Sequence, residues 1–487
     1  MILKELIEGL DIIEMKGNGE IDISNIAYDS RKIGSGSLFV CIEGFKVDGH
    51  DFIPGAVASG ARAIMVQKNV DNIPDGITVI RVADTRVGLA FVANVFFGRP
   101  SSKLNLVGIT GTKGKTTTTY MIKSILEKAD KSVGLIGTIS NMIGKQVLYT
   151  ERTTPESLEL QSLFSDMYEK GVDSVVMEVS SQGLALNRVG FCDFDTGVFT
   201  NLSRDHIGPN EHKSLEEYLS AKMKLFKMCK KGLVNIDSEY GETVIKNAAC
   251  KVLTFGIEND ADIKAINIVK HPDSVNFIVL TPWGSTDIKV NIPGRFSVYN
   301  ALAAIGVCGL MNIPLDIVKE GLLSVSVPGR AEIVETGRDF NVIIDYAHTP
   351  DSLLNILTTV KDYAKGRVVS LFGCGGDRDR SKRPMMGEIS GKIADFTIIT
   401  SDNPRTGEPS AIVEDIEEGI KRTQGKYITI IDRTEAIKYA IENAKQGDII
   451  ILAGKGHETY QTFKDKTIHY DEREVVREIL SQLIVDS

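Results

Sequence analysis

The string Gly108-Ile-Thr-Gly-Thr-Lys-Gly-Lys-Thr-Thr-Thr118 constrains this chain more than any other stretch. An apolar run at 104–109 leads into it, and a helix-like pattern at 116–128 leads out. Strand, glycine loop, Lys-Thr and helix is how a polypeptide builds a phosphate cradle. Glycines let backbone N–H groups approach an anion, and the helix N-terminus adds its dipole. Lys115 supplies a point charge for outer phosphates, and Thr116 offers a hydroxyl to Mg2+. The standard spacing would put the first glycine at 109, where isoleucine stands; the upstream glycine here is Gly111. A plain glycine turn is the bland alternative. The offsets of Lys115 and Thr116 from Gly114, and the flanks, argue against it. The pattern implies a nucleoside triphosphate, ATP being the expected one.

A chain of 487 residues holds two to four domains, at ~100–200 residues each. Hydrophobic residues make up 42% and charged ones 25%, as in soluble globular proteins. The net charge of -9 argues against a nucleic-acid partner. An anionic ligand must then be met by local cations and helix ends. Cys41, Cys192, Cys229, Cys250, Cys308 and Cys374 are scattered without a Cys-x-x-Cys pair, which suggests free thiols in a reducing cytosol. The first ten residues carry acids within their apolar pattern and predict an amphipathic helix, not a signal peptide. No apolar run reaches the ~18 residues of a membrane span. A cytoplasmic enzyme without a membrane span is expected.

Three blocks follow one another: 1–100, 101–328 and 329–487. The first mixes strand-like runs at 36–42, 63–66 and 78–82 with helical ones at 52–59 and 85–97. The second alternates helices with apolar runs at 107–110, 133–136, 174–178, 197–200 and 233–236, which favours a parallel sheet covered on both faces. The third repeats this with runs at 342–344, 368–372, 396–400, 428–431 and 449–452. The predicted fold is α/β in three domains: a smaller N-terminal α/β domain, a central P-loop-type parallel-sheet domain and a C-terminal Rossmann-like domain. Ligands of such sheets bind beyond the carboxyl ends of the strands. Four polar clusters of the third block fall there: Asp345-Tyr-Ala-His348, Gly375-Gly-Asp-Arg378, Asp402-Asn-Pro-Arg405 and Gly454-Lys-Gly-His-Glu458.

Glu178 ends one run of the second block and His206 lies past another, so both are candidate ligands for a second Mg2+. The alternatives are a surface charge and a hydrogen-bonded turn histidine. By pattern alone Lys222 reads as a solvated helix lysine. Arg378, Arg383 and Arg405 form a cationic set, and guanidinium groups grip carboxylates bidentately. Together with Asn403 and the acid Glu458 they suit a zwitterionic amino acid. A surface salt-bridge network is the alternative.

At this point the chain resembles the Mur ligases, ATP-dependent amide-forming enzymes of cell-wall precursor synthesis. Thr110-Gly-Thr-Lys-Gly-Lys-Thr116, Glu178-Val-Ser-Ser181, Thr200-Asn-Leu-Ser-Arg-Asp-His206, Gly294-Arg-Phe-Ser-Val-Tyr-Asn300, Pro328-Gly-Arg330 and Asp345-Tyr-Ala-His348 fall in the family's order. Asp29-Ser30-Arg31, Thr153-Thr154-Pro155 and Asp402-Asn403-Pro404-Arg405 resemble the members that add the third residue of the stem peptide, in the version that selects meso-2,6-diaminopimelate. Its second carboxylate gives Arg405 an anion to meet; lysine has none. The segment 205–212 looks more like some Gram-positive members, lysine-adding ones included, so the two segments point in different directions.

The resemblance implies roles. Gly111, Thr112, Lys113, Gly114, Lys115, Thr116 and Thr117 would hold ATP, with Asn300, Arg330 and Asp345. Thr116, Glu178, His206 and a carbamylated Lys222 would hold two Mg2+ ions. Ser30, Thr153, Thr154, Ser180 and Arg188 would bind UDP-N-acetylmuramoyl-L-alanyl-D-glutamate. Arg378, Asp402, Asn403, Arg405, Gly454 and Glu458 would bind the amino acid. Lys115, Lys222, Glu178 and His206 would carry the catalysis, through an acyl phosphate. Domain closure and a monomer are expected. The rivals are the same reaction with L-lysine, another Mur or folylpolyglutamate-type ligase, and a P-loop NTPase switch.

Overall fold

The computed structural model describes residues 1–203, 208, 211–271 and 273–485. The chain divides into two compact units. One comprises Met1–Lys264, Thr281–Trp283 and Leu302–Val318; the other comprises Ala265–Leu280, Gly284–Ala301 and Lys319–Ser487.

The first unit opens with a five-stranded sheet in the order Glu14–Lys16, Thr78–Arg81, Ala61–Val66, Ser37–Val40, Asn25–Ala27. All neighbours are parallel except Glu14–Lys16, which pairs antiparallel with Thr78–Arg81. The helix Thr85–Phe96 starts where Asp84 Oδ1 accepts from Arg86 N at 2.7 Å and Val87 N at 3.3 Å. Such a cap contributes about 1 kcal/mol. Its Leu89 and Val92 pack into a core with Leu38, Met65 and Ile80. The expected N-terminal amphipathic helix is only the single turn Leu3–Leu6, because the chain turns at Gly9 with φ +88°.

The same unit contains parallel strands in the order Val133–Ile136, Ser174–Glu178, Asn105–Thr110, Phe194–Phe199, Cys229–Asn235, Lys251–Gly256. Every residue of Ser174–Glu178 is buried, which is why the run reads as continuously apolar. Ser174–Glu178 and Phe194–Phe199 flank Asn105–Thr110, so the chain at Gly111, Val179 and Thr200 leaves the sheet along one edge. The sheet is not wholly parallel as expected: the hairpin Asn141–Ile143 and Gln146–Leu148 adds two antiparallel strands.

The second unit carries a six-stranded sheet in the order Glu332–Val334, Asn341–Asp345, Ile449–Ala453, Val368–Phe372, Phe396–Ile399, Tyr427–Thr429, with only Glu332–Val334 antiparallel. The helices Pro350–Lys361, Lys382–Ile393, Pro409–Ile420 and Arg433–Glu442 each follow a parallel strand, as expected. The first is set by a capping box between Thr349 and Ser352, with Pro350 at its start. The carboxyl ends of the strands therefore stand side by side and bring the four polar clusters to one edge. Among the described residues no helix is long and apolar enough to cross a membrane.

Candidate functional site

Two constellations stand out, one in each unit. The first is the loop between Asn105–Thr110 and the helix Lys115–Lys128. Gly111 has φ +152°, and a Cβ there would lie 1.9 Å from Thr200 Oγ1, so only glycine fits. The loop backbone is clasped from Thr200 and Asn201: Thr112 N donates to Asn201 O at 3.0 Å, Lys113 N to Asn201 Oδ1 at 2.9 Å, and Thr200 Oγ1 to Lys113 O at 2.7 Å. Gly114 caps the helix at φ +86°. Thr117 is buried behind the loop in the helix's first turn. Lys115 Nζ folds back and donates to the carbonyls of Gly111 at 2.8 Å and Thr112 at 3.1 Å.

Thr116 Oγ1 donates to Glu178 Oε1 at 2.9 Å. The same oxygen accepts from Thr138 N at 2.8 Å, while Glu178 Oε2 accepts from Thr138 Oγ1 at 3.1 Å. This buried carboxylate is fixed, not a loose surface charge. A hydroxyl and a carboxylate are hard oxygen donors of the kind Mg2+ accepts when substrate phosphates and water complete its shell. Lys222 overturns its reading by pattern: its side chain is 1% exposed, its Nζ donates to Gly111 O at 2.9 Å and lies 4.3 Å from the centre of the Tyr218 ring. The Tyr218 hydroxyl is 3.1 Å from Thr112 Oγ1. His206 lies outside the described residues.

Thr153, Thr154, Ser180 and Arg188 gather beside Glu178. Thr153 Oγ1 is 3.0 Å from Thr138 Oγ1, and Thr154 Oγ1 donates to the Glu178 carbonyl at 3.0 Å. Ser180 Oγ caps the short helix Ser181–Ala185. Arg188 Nη1 donates to Thr154 O at 3.2 Å, and its Nε lies 2.9 Å from Glu156. Ser30 lies apart from this group and lines a cavity of about 1240 Å³, with Tyr28, Arg31, Lys32, Tyr149 and Arg152. That is roomier than the ~300–1,000 Å³ of ordinary small-molecule pockets. The Tyr28 hydroxyl donates to Glu159 Oε1 at 2.9 Å.

In the second unit Asp402, Asn403, Gly454 and Glu458 come together. Asn403 Nδ2 donates to Glu458 Oε2 at 2.7 Å, and Gly454 (φ +117°) has room for a Cβ only 3.2 Å from Asp402 Oδ2. Lys455, given no role from the sequence, is fully buried among them. Its Nζ is 3.3 Å from Asn403 Oδ1, 3.3 Å from Glu458 Oε2 and 3.7 Å from Asp402 Oδ1. Its place between two glycines just past a strand was the available signal. Burial, with Asp402 nearby, pushes the Glu458 carboxyl above the usual range against the pull of Lys455 and Asn403.

Arg405 sits at φ +51°, and its Nη1 donates to Gly376 O at 2.9 Å. No other bond of its guanidinium is formed among the described residues. Arg378 is exposed on the neighbouring loop. Arg383 does not belong to this set: it is buried, with Nη1 2.8 Å from Asp415 Oδ2, and Arg380 grips the same carboxylate. Lying on the helix Lys382–Ile393, it holds helices together and is a structural ion pair.

Arg330 and Asp345 also meet in this unit. The Arg330 guanidinium lies 4.8 Å from the Tyr346 ring centre, and Tyr346 contacts His348 and His457 at 4.5 and 4.8 Å between ring centres. Asp345 Oδ2 accepts from Ala331 N at 2.7 Å; burial raises its pKa while Arg330 opposes the rise. Asn300 is buried in the helix Arg295–Leu310.

Three family descriptions match in chain order: "Mur ligase family, catalytic domain" at 22–94, "Mur ligase middle domain" at 109–308 and "Mur ligase, glutamate ligase domain" at 329–456. A protein of Caldanaerobacter subterraneus subsp. tengcongensis named UDP-N-acetylmuramoyl-L-alanyl-D-glutamate--2,6-diaminopimelate ligase is 53% identical over 483 residues, covering 99% of both chains. The chain belongs to the Mur ligase family. A second relative with the same name, from Clostridium perfringens, is 49% identical with 99% coverage of each chain. A solved structure described as UDP-N-acetylmuramoyl-L-alanyl-D-glutamate--2,6-diaminopimelate ligase superposes with a TM-score of 0.74 at 29% identity, again over 99% of both chains. This Mur ligase thus has the three-domain α/β fold expected from its sequence.

Proposed function

We propose that this chain joins meso-2,6-diaminopimelate to UDP-N-acetylmuramoyl-L-alanyl-D-glutamate at the expense of ATP, as a cytoplasmic enzyme of peptidoglycan precursor synthesis. Full-length identity of 53% to a protein named for the diaminopimelate reaction carries this reading. The loop of Asp402, Asn403 and Arg405 with Glu458 supports it. We propose domain boundaries near 100/101 and 328/329.

The D-glutamyl carboxylate attacks the γ-phosphorus of ATP, the bond to ADP breaks, and an acyl phosphate forms. The amine then attacks the acyl carbon, phosphate leaves with the bonding pair, and the amine loses a proton. Two anions must meet in the first step, so charge neutralisation and alignment are what the protein has to supply. Lys115 swings from the Gly111 and Thr112 carbonyls to the outer phosphates. Thr116 and Glu178, with His206 and Lys222 as its carbamate, would hold Mg2+, which when bound offsets the phosphate charge. Carbamylation turns the Lys222 ammonium into an anion that attracts the cation instead of repelling it. Asn300, Arg330 and Asp345 complete the nucleotide site; Ser30 contacts the uridine diphosphate of the first substrate, and Thr153, Thr154, Ser180 and Arg188 hold the rest of its sugar-peptide. Asn403 and Glu458 receive the amino acid, and Arg405 and Arg378 its carboxylates. The test is a panel of amines scored for peptide product. Diaminopimelate should be the preferred acceptor, and preference for lysine would overturn the assignment.

A further inference from the structure

Building on that ligase reading, we propose that Arg433 is a positioning residue for the amine site: one buried guanidinium fixes the spacing between the loops at 402–405 and 454–458. Arg433 opens the helix Arg433–Glu442, and its side chain is fully buried. Nη1 donates to Ser401 O at 3.1 Å and Nη2 to Ala453 O at 2.9 Å, while Nε donates to Glu472 Oε1 at 2.8 Å. Ser401 immediately precedes Asp402, and Ala453 immediately precedes Gly454. Both loops of the amine site are therefore held by the last carbonyl before them.

The strands leading to these loops are not neighbours. Phe396–Ile399 and Ile449–Ala453 are separated by Val368–Phe372, so no ladder hydrogen bond joins them directly and their ends are related only through Phe372 between them. The chain at 400–402 crosses over Gly373, where a Cβ would lie 2.3 Å from Thr400 O and 2.9 Å from Asp402 N. The arginine fork reaches both carbonyls and still leaves Nε for a carboxylate; a lysine ammonium has no such spread. Movement of Ser401 against Ala453 would pull Asn403 away from Glu458, which it meets at 2.7 Å.

Buried ion pairs are weak sources of stability, and apolar replacements are often neutral. Glu472 Oε2 is buried with no hydrogen-bond partner among the described residues, so only one of its two oxygens is engaged by the clamp. Glu472 begins the C-terminal helix Glu472–Val485, so that helix is anchored to the same clamp.

The experiment uses Arg433→Lys in the full chain, with two readouts. In steady state the KM for diaminopimelate should rise about tenfold or more, as misplacement of binding groups predicts. The KM for the UDP-dipeptide should stay within about twofold, since the residues assigned to it all lie in the first unit. A merely structural loss would lower the active fraction and leave all KM values alone. Amide hydrogen exchange should quicken at 400–405 and 453–458 together, with the central strands unchanged. Unchanged exchange there overturns the proposal whichever amine the enzyme uses. An unchanged amine KM in an enzyme that ligates diaminopimelate overturns it as well. If the parent enzyme forms no product with diaminopimelate, the ligase reading fails and exchange still decides the clamp. If Arg433→Lys does not fold, the double variant Arg433→Met, Glu472→Met removes both charges and carries the same two measurements.

Discussion

Lys222 Nζ donates to the Gly111 carbonyl oxygen at 2.9 Å, although 111 residues separate the two in sequence. Lys115 Nζ donates to the same oxygen at 2.8 Å. Two lysine side chains thus converge on one carbonyl at the mouth of a phosphate loop. A bound triphosphate would draw Lys115 towards its outer phosphates. The carbamate proposed for Lys222 would put an anion where its ammonium now stands.

Activity should therefore depend on carbon dioxide. Turnover falls in buffer freed of carbon dioxide and returns when bicarbonate is added, and the intact mass rises by one carbon dioxide per chain. Lys222→Ala removes the response and lowers the rate by about 10²–10³-fold, the usual scale for losing a preorganised electrostatic group. A wild-type rate indifferent to bicarbonate contradicts the carbamate.

Lys115→Met should lower kcat by about 10²–10³-fold at saturating ATP, because its ammonium acts on charge that builds during transfer. Thr116→Val should instead raise the Mg2+ concentration giving half the maximal rate, since it removes a hydroxyl and leaves Glu178 in place. A magnesium titration beside ATP saturation curves separates the two.

Arg405→Ala should reduce kcat/KM for diaminopimelate by about 10–100-fold, the worth of a hydrogen bond to a charged group. The loss with lysine as acceptor should stay within about threefold. Equal losses with both amines remove Arg405 from specificity.

The His457 imidazole is pushed down to about 4 by burial, with Arg330, Arg473 and His348 adding to the shift. Its Nδ1 is buried without a hydrogen-bond partner among the described residues, as suits a neutral ring. An unfolded histidine titrates near 6.5. Between those values the unfolded chain binds the proton and the folded one does not, so stability is lost as pH falls from about 6.5 to about 4. The loss attributable to this group reaches roughly 3 kcal/mol. Denaturant melts of wild type and His457→Phe across that range check it: the variant should show the shallower decline.

The sequence exposed the strands that are buried on both faces, because continuous apolar runs such as Ser174–Glu178 and Val368–Phe372 need no partner to be recognised. It hid Ile263–Lys270 and Gly284–Val290, whose mixed burial and interspersed lysines blur the apolar signal. The phosphate loop and the Asp402 to Arg405 loop were legible because each is contiguous and marked by glycine or proline. Lys222 was legible only through motif position and Lys455 was missed, since nothing local says that a lysine will be buried. Arg383 misled because chain proximity to Arg378 does not disclose Asp415, which arrives from another helix. Thr138 and Tyr218 were missed for the same reason: their partners, Glu178 and Thr112, come from distant segments.

The central claim is that a substrate carboxylate takes the phosphoryl group before the amine takes the acyl group. The direct measurement is oxygen transfer from UDP-N-acetylmuramoyl-L-alanyl-D-glutamate labelled with oxygen-18 in the D-glutamyl γ-carboxylate. An acyl phosphate intermediate requires a carboxylate oxygen to leave with each released phosphate, so labelled phosphate should form in step with peptide product. Unlabelled phosphate, released with or without an amine present, would mean that water is the acceptor and would contradict the account.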